Sequence, residues 1–216
     1  MAKVIGLTGS FGTGKSFAAS VFKSLGAKVL DADMIARSVT AKGKIAHKKV
    51  LAAFGGGIIG KGREIDRGKL AEIVFADKKA LSRLNRIVHP EVISIIKRSI
   101  RKAGIHDVVV VDAPLLIEAG LDRFADILVV VKAPRKLQIE RCMKKFNPQT
   151  ENRRGGSFGR GQRSSTMDRG GVIRRIANQI PLKKKIEMAD FVVDNGGTRP
   201  ETKKQIKRIW KETVWR

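Results

Sequence analysis

Hydrophobic and polar positions along the chain divide it into short apolar runs and longer stretches with helical spacing. Five mostly apolar runs predict β-strands at residues 3–7, 28–30, 108–111, 127–131 and 191–193. Most of these runs lack strict alternation, which is typical of strands in a parallel sheet with helices on both faces. The pattern therefore predicts an α/β fold around a five-stranded parallel sheet.

The stretch from about residue 41 to 104 has helical spacing throughout. Asp66 and Asp77 are suited to cap two helices, and Pro90 is predicted to open a third. The apolar stripes that follow are Leu70, Ile73 and Val74; Leu81, Leu84, Ile87 and Val88; and Val92, Ile95, Ile96 and Ile100. Because this block is too long for a simple crossover, we expect a helical subdomain packed over the sheet edge.

The segment from Pro200 onward predicts a basic amphipathic helix. Its apolar side carries Ile206, Ile209, Trp210 and Val214. We expect this side to pack against the sheet, with binding to a membrane surface as the alternative. No apolar run approaches the roughly 18 residues of a membrane span, and the first strand begins too early to leave room for a signal peptide.

Composition narrows the class of protein. A chain of 216 residues can form one domain with a sizeable core, and its single cysteine, Cys142, excludes an internal disulfide framework and fits a cytoplasmic location. The charge is unbalanced, with 45 Lys and Arg against 20 Asp and Glu, a net +25. Such a charge attracts polyanions, so phosphorylated small substrates and RNA are both candidate partners.

A glycine-rich motif follows the first predicted strand and precedes a helix-like segment. Residues 9–16 read glycine, four residues, then Gly-Lys-Ser, which is the phosphate-binding loop pattern in its required setting. Successive N–H groups and the helix N-terminus would surround a polyphosphate. Lys15 would reach the outer phosphates, and the Ser16 hydroxyl would bind Mg²⁺. The predicted ATP-binding residues here are Gly12, Thr13, Gly14, Lys15, Ser16 and Phe17.

Further motifs along the chain resemble the dephospho-coenzyme A kinase family. Near the N-terminus they are residues 5–9 with 12–16, and the segment 31–37, which begins Asp-Ala-Asp. In the middle of the chain they are Ile-Asp-Arg at 65–67 with Leu70 and residues 74–75, and Ile-Val-His-Pro at 87–90. The last two are Asp-Ala-Pro-Leu-Leu-Ile-Glu at 112–118 and the segment 189–196. In order and spacing the resemblance covers residues 4 to about 145 and 172 to 197. It implies transfer of the γ-phosphate of ATP, with Mg²⁺, to the ribose 3′-hydroxyl of dephospho-coenzyme A.

The same resemblance implies a P-loop kinase fold with three parts. The core would comprise about 1–40, 105–145 and 186–216, the acceptor-binding helical subdomain about 41–104, and the lid about 141–178. All three would belong to one domain of 216 residues.

Individual residues take their roles from this resemblance. Asp33 occupies the place of the family's proposed base, and without the resemblance it would equally suit a helix N-cap. Arg141 and Arg175 match the two ends of the lid, where arginines close over ATP. Asn195 lies in the turn where the adenine is expected. Lys15, Asp33 and Arg141 are thus the predicted catalytic residues.

The remaining candidates concern the acceptor and the metal. Arg37 lies one helical turn after Asp33 and could hold an anion, while Thr8, His89 and Leu115 are expected at the acceptor site. Asp112 ends the third strand, where related kinases place a carboxylate near the metal, so Ser16 and Asp112 are the predicted Mg²⁺ ligands. The structural alternatives are solvated arginines, turn aspartates at Asp31 and Asp112, a structural hydrogen-bonding role for His89 and core packing for Leu115.

The stretch from Asn147 to Gly171 departs from the family. It is rich in Gly, Ser and Arg with little apolar content, so we expect a mobile lid extension when ATP is absent. Its Arg-Gly spacing around Phe158 also resembles segments that bind single-stranded nucleic acid, which is not the favoured interpretation. Two other functions stay open: another P-loop nucleoside or nucleotide kinase, and an RNA-associated ATP-binding protein. The sequence leaves the oligomeric state open.

Overall fold

In the computed structural model, which describes residues 2–146 and 167–214, five strands form one parallel sheet. The strands are β1 (Lys3–Gly9), β2 (Lys28–Asp31), β3 (Val108–Asp112), β4 (Ile127–Lys132) and β5 (Phe191–Asp194). Their spatial order is β2-β3-β1-β4-β5, and every neighbouring pair is parallel. The predicted α/β fold with a five-stranded parallel sheet is confirmed, and each strand runs one or two residues beyond its predicted end.

The three central strands are apolar because helices cover both of their faces. Ile5 and Leu7 of β1, Val110 of β3 and Val129 of β4 are fully buried. In the register of β1 with β3, Leu7 lies beside Asp112, the last residue of its strand. Parallel strands end at the same edge of a sheet, so the segments that follow β1, β2 and β3 meet there.

One face of the sheet is covered by helices α1 (Lys15–Ser24) and α9 (Arg199–Val214). Phe22 of α1 and Ile206 of α9 are fully buried in the same cluster as Val110 and Val129. The C-terminal helix therefore packs on the sheet domain as predicted. The expectation that Val214 shares its apolar side is wrong, since 48% of this residue is exposed near the end of the helix.

The other face carries α2 (Ala32–Val39), α3 (Ile45–Phe54), α4 (Arg67–Ala76) and α5 (Lys78–Arg101). Asp66 caps α4 by accepting from the N–H groups of Gly68 and Lys69, and Asp77 caps α5 by accepting from that of Lys79, as predicted. The apolar residues of these helices share one cluster with sheet residues such as Val4, Val111 and Val130. Ile73 does not follow its predicted stripe, since it is 40% exposed.

The prediction that Pro90 opens a new helix is wrong. Helix α5 continues from Lys78 to Arg101 with Pro90 inside it. Proline removes one hydrogen bond to the preceding turn, but Pro90 and Arg86 are exposed, so water can satisfy the freed carbonyl group. Val88 and Val92, on either side of the proline, are buried in the core, and their packing keeps the helix continuous.

The remaining α-helices of the described residues are α6 (Arg135–Phe146), α7 (Arg169–Ala177) and α8 (Leu182–Glu187). Most of the predicted lid extension, residues 147–166, lies outside the described residues. Its last part is not coil as expected, because the Asp168 side chain accepts from the N–H of Gly171 at 2.7 Å and caps α7. Across residues 2–146 and 167–214, none of the helices has the length and apolar character needed to cross a membrane.

Candidate active site

The glycine-rich loop between β1 and α1 is tightly packed. Its backbone turns so that the Thr13 hydroxyl donates to the carbonyl oxygen of Ser10 at 2.9 Å. Gly12 and Gly14 both have a φ of +84°, in the region that favours glycine. A Cβ at Gly14 would lie 2.1 Å from Asn195 Nδ2, and no side chain fits at that distance. Glycine is therefore required here by both conformation and space.

Two of the predicted ATP-binding and lid residues form hydrogen bonds that hold the backbone of this loop. The buried Asn195 donates from Nδ2 to the carbonyl oxygen of Thr13 at 2.7 Å, and its Oδ1 accepts from the Thr202 hydroxyl at 3.0 Å. Arg141 on α6 donates to the carbonyl oxygens of Thr13, at 3.3 Å, and Asn195, at 3.0 Å. Arg141 also lines the cavity in front of the loop.

Lys15 and Asp112 form an ion pair at the carboxyl edge of the sheet. Both side chains are largely buried, with 14% and 7% of their surfaces exposed. Burial raises the pKa of the Asp112 carboxyl, while the Lys15 ammonium and its hydrogen bond oppose that rise. Ser16 is exposed beside them at the start of α1.

Asp33 lies in the first turn of α2, while Asp31 is the N-cap. The Asp31 side chain accepts from the N–H of Met34 at 2.9 Å, so the idea that Asp33 caps the helix is wrong. Freed from that role, the exposed Asp33 lines the same cavity as Lys15 and Ser16. Arg37 follows one turn later in α2, also exposed.

The second arginine of the predicted lid lies against the phosphate loop. The Arg175 guanidinium on α7 is 4.4 Å from the centroid of the Phe11 ring, a cation–π contact. Burial lowers the pKa of Arg175, and the negative charge of Asp33 opposes this shift. Asp33 and Arg175, which are far apart in sequence, therefore act on each other electrostatically.

Gln179, four residues after Arg175, matches the far end of the family's lid in sequence but has no role among the predicted site residues. Its Oε1 accepts from the N–H of Phe11 at 2.8 Å and from the Ser10 hydroxyl at 3.2 Å, so it ties the end of the predicted lid to the phosphate loop. The spacing of an arginine and a glutamine four residues apart is the signal that could have identified it.

The acceptor candidates separate into two groups. His89 lines a groove of about 510 Å³ on α5, where burial lowers its pKa, and Glu118 lies in the same groove. Thr8 is fully buried and donates to the carbonyl oxygen of Pro114 at 3.3 Å, and Leu115 is 43% exposed. Neither Thr8 nor Leu115 lines the groove or the cavity at the phosphate loop.

The fit of the site to Mg²⁺ depends on oxygen donors near the phosphates. Within the described residues, no group of three or more His, Cys, Asp and Glu side chains could hold a metal ion alone. Magnesium at nucleotide sites needs only one or two protein oxygens, because phosphates and water complete its shell. The Ser16 hydroxyl and the Asp112 carboxylate supply such oxygens, so the donor set fits the ion.

A phosphate loop after the first strand of a parallel sheet, facing an aspartate and two arginines, defines an ATP-dependent kinase of the P-loop class. The family model described as dephospho-CoA kinase matches residues 3–155. The chain is 36% identical to the dephospho-CoA kinase of Carboxydothermus hydrogenoformans, over 99% of this chain and 95% of the relative. It is 37% identical to that of Bacillus licheniformis, over 97% of this chain and 96% of the relative. The chain belongs to the dephospho-CoA kinase family.

Solved structures agree with the fold. The protein TT1252 from Thermus thermophilus superposes with a TM-score of 0.78 and 27% identity, covering 98% of this chain and 97% of its own. The dephospho-CoA kinase from Campylobacter jejuni gives a TM-score of 0.66, with 100% and 98% coverage. At 23% identity, this second likeness shows the fold alone.

Proposed function

We propose that this protein performs its family's reaction with Asp33 as the base. The γ-phosphate of ATP is transferred to the ribose 3′-hydroxyl of dephospho-coenzyme A, which gives coenzyme A and ADP. The observation that carries the assignment is that Asp33 lines one cavity with Lys15 and Ser16 and is not used as a helix cap. A carboxylate in that position stands where the acceptor hydroxyl has to approach the phosphate.

The phosphate loop holds the triphosphate. Its N–H groups and the positive end of α1 attract the phosphates, and Lys15 neutralises charge on the transferring group. To reach the γ-phosphate, the Lys15 ammonium must share or exchange its contact with Asp112. When bound, Mg²⁺ adds further neutralisation of the phosphates, with Ser16 and Asp112 as its protein oxygens.

Asp33 and Arg37 act on the acceptor. The 3′-hydroxyl oxygen forms the new bond to the γ-phosphorus, the bond to the bridging oxygen of ADP breaks, and the hydroxyl proton passes to the Asp33 carboxylate. Arg37, one turn further along α2, holds an anionic group of the acceptor. The groove that contains His89 offers room for the rest of that substrate.

Arg141 and Arg175 stabilise the transition state from two helices that contact the phosphate loop, α6 and α7. Arg141 is held by the carbonyl oxygens of Thr13 and Asn195, and Arg175 is held over Phe11. Both guanidinium groups are preorganised near the position where negative charge spreads over the phosphoryl oxygens. Asn195 acts by keeping the loop and Arg141 in place.

The partners implied are ATP and dephospho-coenzyme A, and we place the reaction in the cytoplasm, which the single free Cys142 suits. The test is a coupled assay for ADP release with dephospho-coenzyme A, set beside adenosine and nucleoside monophosphates. We expect dephospho-coenzyme A to be preferred by kcat/KM. A monophosphate preferred instead would assign the chain to another acceptor, and binding to RNA that collapses steeply between low and physiological salt would indicate charge attraction only.

A further inference from the structure

Lys185 of α8 is a fully buried lysine outside the predicted site. Its side chain has no exposed surface, and its partner Glu118 is 19% exposed. The ammonium donates to Glu118 Oε2 at 3.1 Å and to the carbonyl oxygen of Pro114 at 2.8 Å, and it forms an ion pair with Glu118 Oε1 at 2.9 Å. Burying an ammonium is unfavourable unless it is paired and hydrogen-bonded, and these three contacts meet that need.

Glu118 also reaches the end of the lid. Its Oε1 accepts from the N–H of Ile180 at 2.9 Å. The preceding residue, Gln179, is the one that accepts from Phe11 and Ser10 in the phosphate loop. Fixing the peptide group between Gln179 and Ile180 therefore fixes the lid end against the loop.

The two residues that accept hydrogen bonds from Lys185 border different halves of the site. Glu118 lines the groove that contains His89, and Pro114 lines the cavity that contains Asp33. The Lys185 ammonium is bonded to one residue from each, so it joins the acceptor side to the phosphate side.

We propose that Lys185 and Glu118 form a positioning pair for phosphoryl transfer, an inference that rests on the proposed function. The pair holds residues 114–118 and the lid end in a fixed relation to the phosphate loop, without touching the reacting atoms. Stability alone does not call for an ion pair here, because apolar residues of similar volume often replace a buried pair without loss of stability. What an apolar pair cannot supply is the set of directed hydrogen bonds to Pro114 and Ile180.

The double variant Glu118→Leu with Lys185→Met separates positioning from stability. Each single change leaves a charge without its partner, whereas the double removes both charges and keeps the volume. We expect the melting temperature to stay within a few degrees of wild type, kcat to fall at least about tenfold, and the KM for ATP to change less than about threefold, because Lys15 and the loop are intact. Arg208→Met with Glu212→Leu, an exposed pair on α9, is the control and should leave kcat within about twofold.

A folded double variant with wild-type kcat and KM values would overturn the proposal. Should that variant fail to fold, Glu118→Gln keeps the shape but replaces one of the two accepting oxygens with an amide N–H group, so either Ile180 or Lys185 loses its hydrogen bond. Wild-type kcat in that variant would overturn the proposal equally. If the wild-type protein itself does not phosphorylate dephospho-coenzyme A, the proposed function fails instead. Hydrogen exchange at the Ile180 amide then still tests the pair: it should become faster in the double variant, and unchanged exchange would contradict the positioning role.

Discussion

The Lys15 ammonium forms an ion pair with the Asp112 carboxylate, although the two residues lie on different elements 97 positions apart. Lys15 begins α1 and Asp112 ends β3, so the parallel register of β1 with β3 brings them together. The contact places the lysine of the phosphate loop beside the predicted metal ligand. The pair thus links the group that binds the outer phosphates to the edge of the sheet.

Lys15→Ala should abolish phosphoryl transfer, because it removes the cation that follows the γ-phosphate into the transition state. Steady-state kinetics should give less than about a tenth of the wild-type kcat, a loss above roughly 1.4 kcal/mol. Lys23→Ala, an exposed change in the last turn of the same helix, is the matched control and should leave kcat near wild type. A Lys15→Ala enzyme that keeps more than a tenth of its turnover removes this residue from its role.

Loss of Lys15 also leaves Asp112 buried without its cation, so the variant should be less stable. Adding Asp112→Asn removes that charge and should recover stability in a denaturant titration without recovering activity. Activity restored together with stability would mean that Lys15→Ala acted through folding alone.

Asp33→Asn keeps the shape of the side chain but removes its charge and proton affinity. We expect kcat to fall by on the order of 10² or more while the KM for ATP changes little. Asp31→Asn is the control, because asparagine caps a helix as well as aspartate does, and activity should persist. A loss that appears mainly as weaker ATP binding would instead assign Asp33 to the metal.

Arg175→Ala should lower kcat sharply, by about tenfold or more, since it removes a guanidinium held over Phe11 of the phosphate loop. The neighbouring Arg174 has a side chain that is 75% exposed, and its guanidinium lies 3.9 Å from Asp168. Arg174→Ala should therefore leave kcat almost unchanged. Equal losses of kcat in the two variants would show that the loss comes from removing one positive charge, and not from the position of Arg175.

His89 makes the stability of the protein depend on pH. Burial lowers its pKa, so between that value and about 6.5 the unfolded chain binds more protons than the folded one. The free energy of unfolding should therefore rise with pH across this window and fall as the solution is acidified. His89→Gln should flatten this slope in denaturant titrations at several pH values, and the exposed His106→Gln should not. An identical slope in the wild type and His89→Gln would contradict the assignment.

The sequence predicts the sheet well because each strand is an apolar run, and it predicts the caps at Asp66 and Asp77 because capping is local. The local pattern at Pro90 predicts a helix start, but the packing of Val88 and Val92 outweighs one missing hydrogen bond and the helix continues. Val88 and Val92 pack in a cluster with residues distant in the chain, such as Val4 and Val130, so the local sequence pattern does not show this stabilisation.

In the candidate site, too, some features are set by the local sequence and others by contacts between distant residues. The glycine-rich loop is identified by its local pattern, whereas the roles of Gln179 and Lys185 depend on contacts with residues 168 and 67 positions away. Lys185 is the last of three consecutive lysines, which alone suggests a solvated helix face. Only the fold shows that one of the three is buried.

The central claim is that the phosphate goes to the ribose 3′-hydroxyl of dephospho-coenzyme A with Asp33 as the base. The most direct measurement is ³¹P NMR of the product formed by wild-type enzyme and by Asp33→Asn from ATP and dephospho-coenzyme A, together with the amount of ADP. The account predicts one coenzyme A, phosphorylated at the 3′ position, for each ADP with the wild type, and almost none of either with Asp33→Asn. Phosphate at another position, ADP without phosphorylated acceptor, or undiminished product from Asp33→Asn would contradict it.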